Sequence, residues 1–256
     1  MANGVDIANY TEREINREDQ FKKIWSDELN DVFADVAKYY DRANWVASFG
    51  LWGWLHRSFI SLINLSPGMQ ALDVCAGTNA IGICMLTKEP GIKVQAIDRS
   101  QAMQEVGRQR AEVRGFHIDS AIGDVHHLPF PDNHFDVVTL QYASRHLRVV
   151  EVFKEIHRVL KPGGCFYHSD MLRPENKVVE FLYYSYLRMC LGITGWLFRS
   201  SPSALACKRY FISALSMFYS SSELSDLLTK LGFKDVLAKN VLLGMVGFHR
   251  AVKPDS

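Results

Sequence analysis

The chain has 256 residues, of which 48% are hydrophobic and 22% charged, a composition typical of a globular protein with room for one α/β domain and insertions. Its formal net charge of +1, without a basic run, argues against a nucleic-acid partner. The five cysteines are scattered and show no C-x-x-C spacing, so we expect neither a zinc site nor a disulfide framework. This pattern favours a protein of the reducing cytoplasm.

The first 65 residues are predicted to form a polar lead-in and a helical lid. Residues 1–25 are polar with mixed charge, which predicts a loosely ordered lead-in rather than a signal peptide or transit sequence. From residue 26 apolar side chains recur at helical spacing, and residues 45–59 are dense in aromatic side chains. We therefore expect a helical lid over residues 26–65 that packs on the core and lines an apolar substrate pocket.

The stretch from Ala71 to Asp98 is predicted to form strand, tight turn, helix and strand, and the rest of the chain is organised around it. The small residues CAGTN at 75–79 let the backbone turn sharply and approach a ligand. The helix that follows presents its N-terminal amide groups to that ligand. Asp98 lies about 20 residues after Gly77, a separation at which a carboxylate can accept hydrogen bonds from a ribose diol. A single glycine turn also fits any other βαβ unit, so this spacing alone leaves nucleoside binding open.

Strands alternate with helices through residues 70–170, which predicts a doubly wound parallel sheet. Residues 171–221 break this rhythm and are predicted to be a helical insertion. Within it, residues 178–198 are strongly apolar, but Glu180 and Arg188 argue against a membrane span, and contact of an exposed face with a bilayer stays open. Ser220 and Glu223 form a capping-box pattern, and residues 234–239 and 241–252 read as two final strands. Residues 26–252 are thus expected to form a single domain.

Several motifs together resemble a known family. They are DVCAGTNA at 73–80, Asp98, GDVHHLPFPDNHFDVV at 123–138, EIHRVLKPGG at 155–164, VFADVAKYYDRANWVASFG at 32–50 and KRYF at 208–211. These motifs resemble the class I S-adenosylmethionine-dependent methyltransferases, and within them the UbiE-type C-methyltransferases of ubiquinone and menaquinone synthesis. The resemblance implies an α/β, doubly wound, mostly parallel seven-stranded sheet (the Rossmann-like methyltransferase fold), with the helical lid before it and the helical insertion before the last two strands.

The chain departs from the family pattern at three positions. The turn keeps one central glycine, and Asn79 stands where a further glycine is usual. Asparagine tolerates the left-handed backbone conformation better than most residues, so we expect Asn79 to keep the turn. Ala80 replaces a carboxylate that commonly follows. Arg145-His146 stands where the quinone enzymes have an Arg-Asn pair.

The resemblance implies S-adenosylmethionine as the cofactor. Asp98 would hold the ribose hydroxyls, Asp124 and Val125 would frame the adenine, and Gln141 would open onto the crevice at the end of its strand. No metal-ligand spacing is present. The full cofactor-binding set predicted here is Asp73, Ala76, Gly77, Thr78, Asn79, Asp98, Arg99, Asp124, Val125 and Gln141.

A carbon nucleophile needs electron density, which a deprotonated hydroquinone or phenol hydroxyl supplies to the ring. We predict His146 as the base, because the pKa of histidine lies near neutrality. Arg145 would stabilise the developing phenolate. Tyr40 would orient the ring hydroxyl, as the family motif implies.

Three functions remain open at this point. The first is C-methylation of a quinone precursor or a related lipophilic aromatic. The second is a transfer other than methyl from S-adenosylmethionine to a quinone, as in the rhodoquinone-forming type. The third is a non-catalytic partner in a quinone-biosynthesis complex. A cytoplasmic protein is expected, and both peripheral contact with the inner membrane face and a homodimer stay open.

Overall fold

A seven-stranded sheet forms the centre of the computed structural model, which describes residues 7–25, 37, 42, 44, 45, 48, 50–197 and 210–255, residues 191–197 as helical backbone only. The strand order is β3-β2-β1-β4-β5-β7-β6, and β7 alone runs antiparallel to its neighbours. This arrangement confirms the predicted doubly wound, mostly parallel fold. The strands are β1 Gln70–Val74, β2 Lys93–Asp98, β3 Asp119–Ile122, β4 Phe135–Gln141, β5 Leu160–Met171, β6 Lys234–Val241 and β7 Val246–Val252.

Helices cover both faces of the sheet, because alternate residues of each buried strand point to opposite sides. Leu72 of β1 packs in a cluster with the apolar faces of α5 and α7, whereas its neighbour Ala71 packs with α2 and α3. The core therefore has two apolar layers with the sheet between them. The helices are α1 Ala8–Lys23, α2 Trp52–Leu62, α3 Ala80–Lys88, α4 Gln101–Val113, α5 Val149–Val159, α6 Lys177–Leu197 and α7 Ser221–Lys230.

Two helix starts follow the capping chemistry of their sequences. The Ser100 hydroxyl accepts the Met103 amide at the start of α4. The capping box predicted before α7 is confirmed: the Ser220 hydroxyl accepts the Glu223 amide at 3.3 Å, and the Glu223 carboxylate accepts the Ser220 amide at 2.7 Å. Each cap satisfies backbone donors that the helix itself leaves open.

Helix α1 replaces the loosely ordered lead-in that the polar N-terminus predicted. It buries an ion pair, Glu14 with Arg17 at 2.7 Å. Glu14 also accepts the Val149 amide at 2.8 Å, and Arg17 donates to the Arg145 carbonyl at 2.8 Å. The expectation was wrong because these charged side chains are buried through partners distant in sequence, which composition does not reveal. Of the predicted lid, residues 26–36 lie outside the described part of the chain, whereas α2 lies within it.

Helix α6 belongs to the predicted insertion, and residues 210–216 are helical as well. Its inner side packs Tyr183, Tyr184 and Leu187 against Leu215. Across the residues that the structure describes, none of the helices combines the length and the apolar character that a bilayer crossing requires.

A buried histidine pair joins β5 and β7. His168 and His249 face each other in the antiparallel register, with their Nδ1 atoms 3.3 Å apart. The other ring nitrogen of His168 lies 2.7 Å from the Ser144 hydroxyl, and that of His249 lies 3.1 Å from the Ser221 carbonyl. Burial lowers the pKa of both imidazoles, that of His249 from 6.5 to about 4.

Because this histidine pair is buried and neutral, we expect the free energy of unfolding to fall at acid pH. As the pH falls below 6.5 the unfolded chain binds protons at His249, but the folded chain does not until the pH nears 4. The contribution of His249 to the free energy of unfolding is therefore fully present above pH 6.5 and is lost as the pH falls from 6.5 to 4. At pH 5 the loss from this one residue is about 2 kcal/mol. In urea unfolding at pH 7.5 and pH 5, His249→Gln should show a smaller loss than wild type, and the exposed-site control His127→Gln should show the full loss. An equal loss in wild type and His249→Gln would contradict the assignment.

Candidate active site

The turn after β1 holds three left-handed residues within five positions. Cys75, Gly77 and Asn79 have φ angles of 54°, 52° and 55°. Asparagine tolerates this conformation better than most residues with a side chain. Asn79 therefore keeps the sharp turn despite the missing glycine, as the sequence predicted.

Helix α4 holds this turn from outside. Gln104 Nε2 donates to the Gly77 carbonyl at 2.9 Å and to Asn79 Oδ1 at 3.1 Å. A Cβ on Gly107 would lie 2.8 Å from the Asn79 side chain, so only glycine lets the helix approach this closely. The amide of Asn79 is fully buried and serves the turn itself rather than the surface that a ligand meets.

Asp98 connects the end of β2 to the turn. Its Oδ2 accepts the Gly77 amide at 2.9 Å, and its Oδ1 accepts the Ser100 amide at 2.8 Å. Burial raises the pKa of this carboxyl, while the two amide hydrogen bonds and Arg99 oppose the rise. The side chain is 9% exposed and lines the cavity described below, where a diol could donate to its remaining lone pairs.

Asp73 connects β1 to β4 and to α3. Its carboxylate accepts the Thr139 hydroxyl at 2.8 Å and the Gly82 amide at 3.3 Å. Burial raises the pKa of Asp73 to about 7, against the opposing effect of both hydrogen bonds. Asp73 thus fixes the strand ends from which the site is built.

A cavity lies at the carboxyl ends of β1 and β4, where the strand order reverses. Open α/β sheets bind ligands at such a switch point. One end of the cavity is lined by the turn and by Asp98, and the other by aromatic side chains. The predicted cofactor residues that line it are Asp73, Ala76, Gly77, Thr78, Asp98, Arg99 and Gln141.

The aromatic end combines α2 with the residue that follows β4. The Trp52 ring stacks on Tyr142 with centroids 4.8 Å apart, and the His56 ring lies 4.5 Å from Trp52. Tyr142 has a φ of 55°, a strained conformation for a bulky residue that is often retained at binding sites. Flat rings at this end can receive a flat aromatic ligand.

His146 lines the same cavity from a 3-10 turn, Ser144–His146. Its Nδ1 forms a short hydrogen bond with the Tyr210 hydroxyl, which accepts Trp25 Nε1 at 2.8 Å. Burial lowers the pKa of His146 well below its ordinary value, and the Arg145 and Arg17 guanidinium groups act in the same direction. The imidazole is therefore neutral at pH 7, so the expected pKa near neutrality was wrong.

Arg145 lies behind the cavity rather than on its lining. Its Nη1 donates to Asp170 Oδ1 at 2.7 Å and to the Tyr142 carbonyl at 2.9 Å. Asp170 also accepts the Ser144 amide at 2.7 Å. This buried pair therefore positions the 3-10 turn and Tyr142, and its contact with a substrate stays a prediction.

Other predicted site residues lie elsewhere. Val125 is buried in the core, and Asp124 accepts the His126 amide at 3.0 Å; neither is among the residues that line the cavity, so their adenine role stays a prediction. Tyr40 lies outside the described residues. In the described part of the chain no cluster of side chains could hold a metal ion.

Sequence reasoning missed most of the aromatic end. Trp52, His56 and Tyr142 line the cavity. Trp52 and His56 belong to the lid that was predicted to line an apolar pocket, although neither was singled out as a site residue, and Tyr142 was not predicted. The spacing of Trp52 and His56, four positions apart in an aromatic stretch, places both on one helix face and was a usable signal. Met103 of α4 lines the cavity as well, with its Cε 3.3 Å from the position of a Cβ on Gly77.

One observation tests whether the cavity fits the implied cofactor. Gln141 Nε2 is buried and has no hydrogen-bond partner in the described part of the chain. A buried donor without a partner is costly, and a polar ligand in the cavity would satisfy it. Together with Asp98 and the open Gly77 turn, it fits a polar, nucleoside-containing molecule.

Comparisons of sequence point in the same direction. A model of the ubiE/COQ5 methyltransferase family matches residues 21–253. The demethylmenaquinone methyltransferase of Symbiobacterium thermophilum is 31% identical over 231 residues, 88% of this chain and 92% of the relative. The ubiquinone/menaquinone biosynthesis C-methyltransferase UbiE of Cereibacter sphaeroides (strain ATCC 17029 / ATH 2.4.9) is 28% identical over 228 residues, 88% of this chain and 90% of the relative.

Solved structures share the fold. A Haloferax volcanii methyltransferase in complex with the Trm112 methyltransferase activator aligns with a TM-score of 0.63 at 18% identity, over 87% of this chain and 97% of that chain. The Haemonchus contortus phosphoethanolamine N-methyltransferase 2 in complex with S-adenosyl-L-methionine aligns with a TM-score of 0.59 at 17% identity, over 78% of this chain and 52% of that chain. Identities this low support the architecture alone.

Asp98 provides the direct test of the polar end. We expect wild type to bind S-adenosylmethionine in calorimetric titration and Asp98→Ala to bind at least tenfold more weakly, about 1.4 kcal/mol, because the diol loses its acceptor. Asp119→Ala, which removes an exposed carboxylate at the start of β3, should bind like wild type. Unchanged binding in Asp98→Ala, with thermal unfolding showing an intact fold, would contradict the ribose assignment.

Proposed function

Because the chain belongs to the ubiE/COQ5 methyltransferase family, it is an S-adenosylmethionine-dependent methyltransferase of quinone biosynthesis, and we propose that it methylates a ring carbon of a hydroquinone with a lipid tail. The observation that carries this proposal is one cavity with two unlike ends. Asp98 and the Gly77 turn line one end, and Trp52, Tyr142 and His146 line the other. A polar nucleoside and a flat aromatic acceptor would thus meet in the same space.

The polar end would hold the cofactor, which supplies a methyl group activated on a sulfonium. Asp98 accepts the ribose hydroxyls, and the Gly77 backbone leaves room beside them. Gln141 Nε2 donates to a polar group of the bound molecule. Methyl transfer depends on alignment, so rigid side chains that fix both reactants supply much of the rate enhancement. The hydrogen bonds from Gly77 and Ser100 to Asp98 give that end its rigidity.

The aromatic end would hold the hydroquinone. The ring packs against Trp52 and Tyr142, and one hydroxyl reaches His146. His146 removes the hydroxyl proton, and the electron density gained by the ring makes the ortho carbon nucleophilic. As that carbon takes the methyl group, the bond from the methyl carbon to sulfur would break and leave a neutral thioether, and the ring would regain its aromaticity by losing the proton of the methylated carbon. The guanidinium groups that lower the pKa of His146 also favour the phenolate, since both effects follow from nearby positive charge. Arg145 acts here through position and charge.

The alternatives find less support. A non-methyl transfer from the same cofactor would use the same polar end, since Asn79 adopts the left-handed conformation that the turn requires. A non-catalytic partner that binds the cofactor would also use Asp98 and the buried donor on Gln141, but it would not need an aromatic end with a histidine beside the cofactor. Tyr40 remains a candidate for orienting the ring hydroxyl on the strength of its motif alone.

The first experiment supplies purified protein with S-adenosylmethionine carrying a labelled methyl group and with a reduced, short-tailed demethylmenaquinone. We expect label on the ring carbon beside a hydroxyl, located by mass spectrometry and NMR. Asp98→Ala, which should bind the cofactor weakly, is the matched negative control. A bound cofactor without label transfer to any quinol would favour the non-catalytic reading. A quinol that gains a group other than methyl would favour the second alternative.

His146 and Tyr210 give a graded prediction for the aromatic end. His146→Ala should lower kcat at least about 100-fold, the usual contribution of a general base, with cofactor binding unchanged. Tyr210→Phe keeps the ring but loses the hydroxyl bound to His146, so a smaller loss is expected. His127→Ala changes an exposed loop histidine and should retain full activity. If His146→Ala kept wild-type kcat, the proton would have another acceptor.

A further inference from the structure

An exposed apolar surface lies beside the cavity. Trp45, Leu51 and Trp54, which we name the tryptophan patch, are 58%, 40% and 44% exposed. Leu51 and Trp54 are one helical turn apart and share a face at the start of α2. Trp52, which lines the aromatic end of the cavity, directly follows Leu51 in the chain, and His56, which lines it too, lies two positions after Trp54. The patch therefore borders the end of the cavity assigned to the hydroquinone.

The patch is held by local backbone contacts. The Gly50 amide donates to the Trp45 carbonyl at 2.8 Å, and the Leu51 amide donates to the Ser48 carbonyl at 3.0 Å. The Trp45 ring lies 3.5 Å from the position of a Cβ on Gly50, whose φ is 79°. Because glycine adopts this φ without strain, the ring can fold over it. Two large indoles are thus kept on the surface in a defined place.

The stretch of chain that carries the patch has charges of one sign. From Arg42 to Leu72 the chain contains no aspartate or glutamate, although acidic residues number 28 in the whole sequence. Arg42 and Arg57 are exposed in this stretch, and Arg57 Nη1 lies 3.6 Å from the position of a Cβ on Gly53, the residue before Trp54. An apolar face in a stretch that carries cations and no acidic residue complements a bilayer with anionic headgroups.

We propose that the tryptophan patch docks into the interface of an anionic bilayer, so that the aromatic end of the cavity opens toward the lipid. Tryptophan is favoured at the membrane–water interface, because its ring is apolar and its N–H remains able to hydrogen-bond. Docking would let a hydroquinone with a lipid tail enter without its tail crossing water. This step rests on the proposed function for the identity of the substrate, but the docking itself does not require turnover.

The test is co-sedimentation of the purified full-length protein with vesicles of phosphatidylglycerol and phosphatidylcholine. We expect wild type to bind, with weaker binding in high salt and on vesicles of phosphatidylcholine alone. Trp45→Ser/Trp54→Ser should bind at least tenfold more weakly, while S-adenosylmethionine binding and transfer to a water-soluble quinol stay near wild type. The control Leu237→Ser removes a side chain that is 61% exposed on the edge strand β6 and should bind vesicles like wild type.

Several results would overturn the proposal. One is equal vesicle binding by wild type and Trp45→Ser/Trp54→Ser. Another is loss of binding only in Phe181→Ser/Leu182→Ser, which alters the exposed apolar side of α6. A third is a dimer that dissociates in the tryptophan variant, because the patch would then contact a second copy. The vesicle assay needs no substrate, so its failure is distinguishable from absence of methyl transfer, which would overturn the proposed function instead.

Discussion

The hydrogen bonds that Asp98 accepts from Gly77 and Ser100 are the constraint on which the site depends. They fix the end of β2 against the turn after β1, next to the point between β1 and β4 where the strand order reverses. Asp73 makes the corresponding connection from β1 to Thr139 of β4. Two buried carboxylates therefore connect the strands and the turn on which the crevice is built. Burial raises the pKa of both, which is the electrostatic cost of removing a carboxylate from water, and the backbone amides that they accept offset part of it.

The N-terminal helix contributes to the opposite end of the cavity. The buried Glu14–Arg17 pair binds the Arg145 carbonyl, which lies within the 3-10 turn carrying His146, and the Val149 amide, which begins the helix after it. Just beyond α1, Trp25 donates to the Tyr210 hydroxyl, which in turn bonds His146. Segments distant in sequence thus determine where this imidazole lies. Removal of one partner from the ion pair would leave a buried charge, so α1 is coupled to the site by electrostatics as well as by packing.

The proposed chemistry and the proposed docking face meet at α2. One side of this helix carries Trp52 and His56 toward the cavity, and its start carries Leu51 and Trp54 toward solvent. A short helix with aromatic side chains on both sides can border a pocket for a flat ring and present an apolar face to a membrane. The strained backbone of Tyr142, stacked on Trp52, lies where these two functions join.

The sequence by itself determined the doubly wound, mostly parallel sheet, the glycine turn with its distant carboxylate, and the family, because periodicity and short motifs report local backbone needs and buried strands. It also predicted that Asn79 would keep the turn. The order of the strands came from the tertiary structure. Only the tertiary structure decided that α1 is an ordered helix, that Arg145 pairs with Asp170 behind the cavity, and that Trp52, His56 and Tyr142 line it. Those outcomes depend on contacts between residues far apart in the chain, such as Arg17 with Arg145 and His146 with Tyr210. The pKa of His146 followed the same rule, since burial and two guanidinium groups, rather than the residue type, determine its charge.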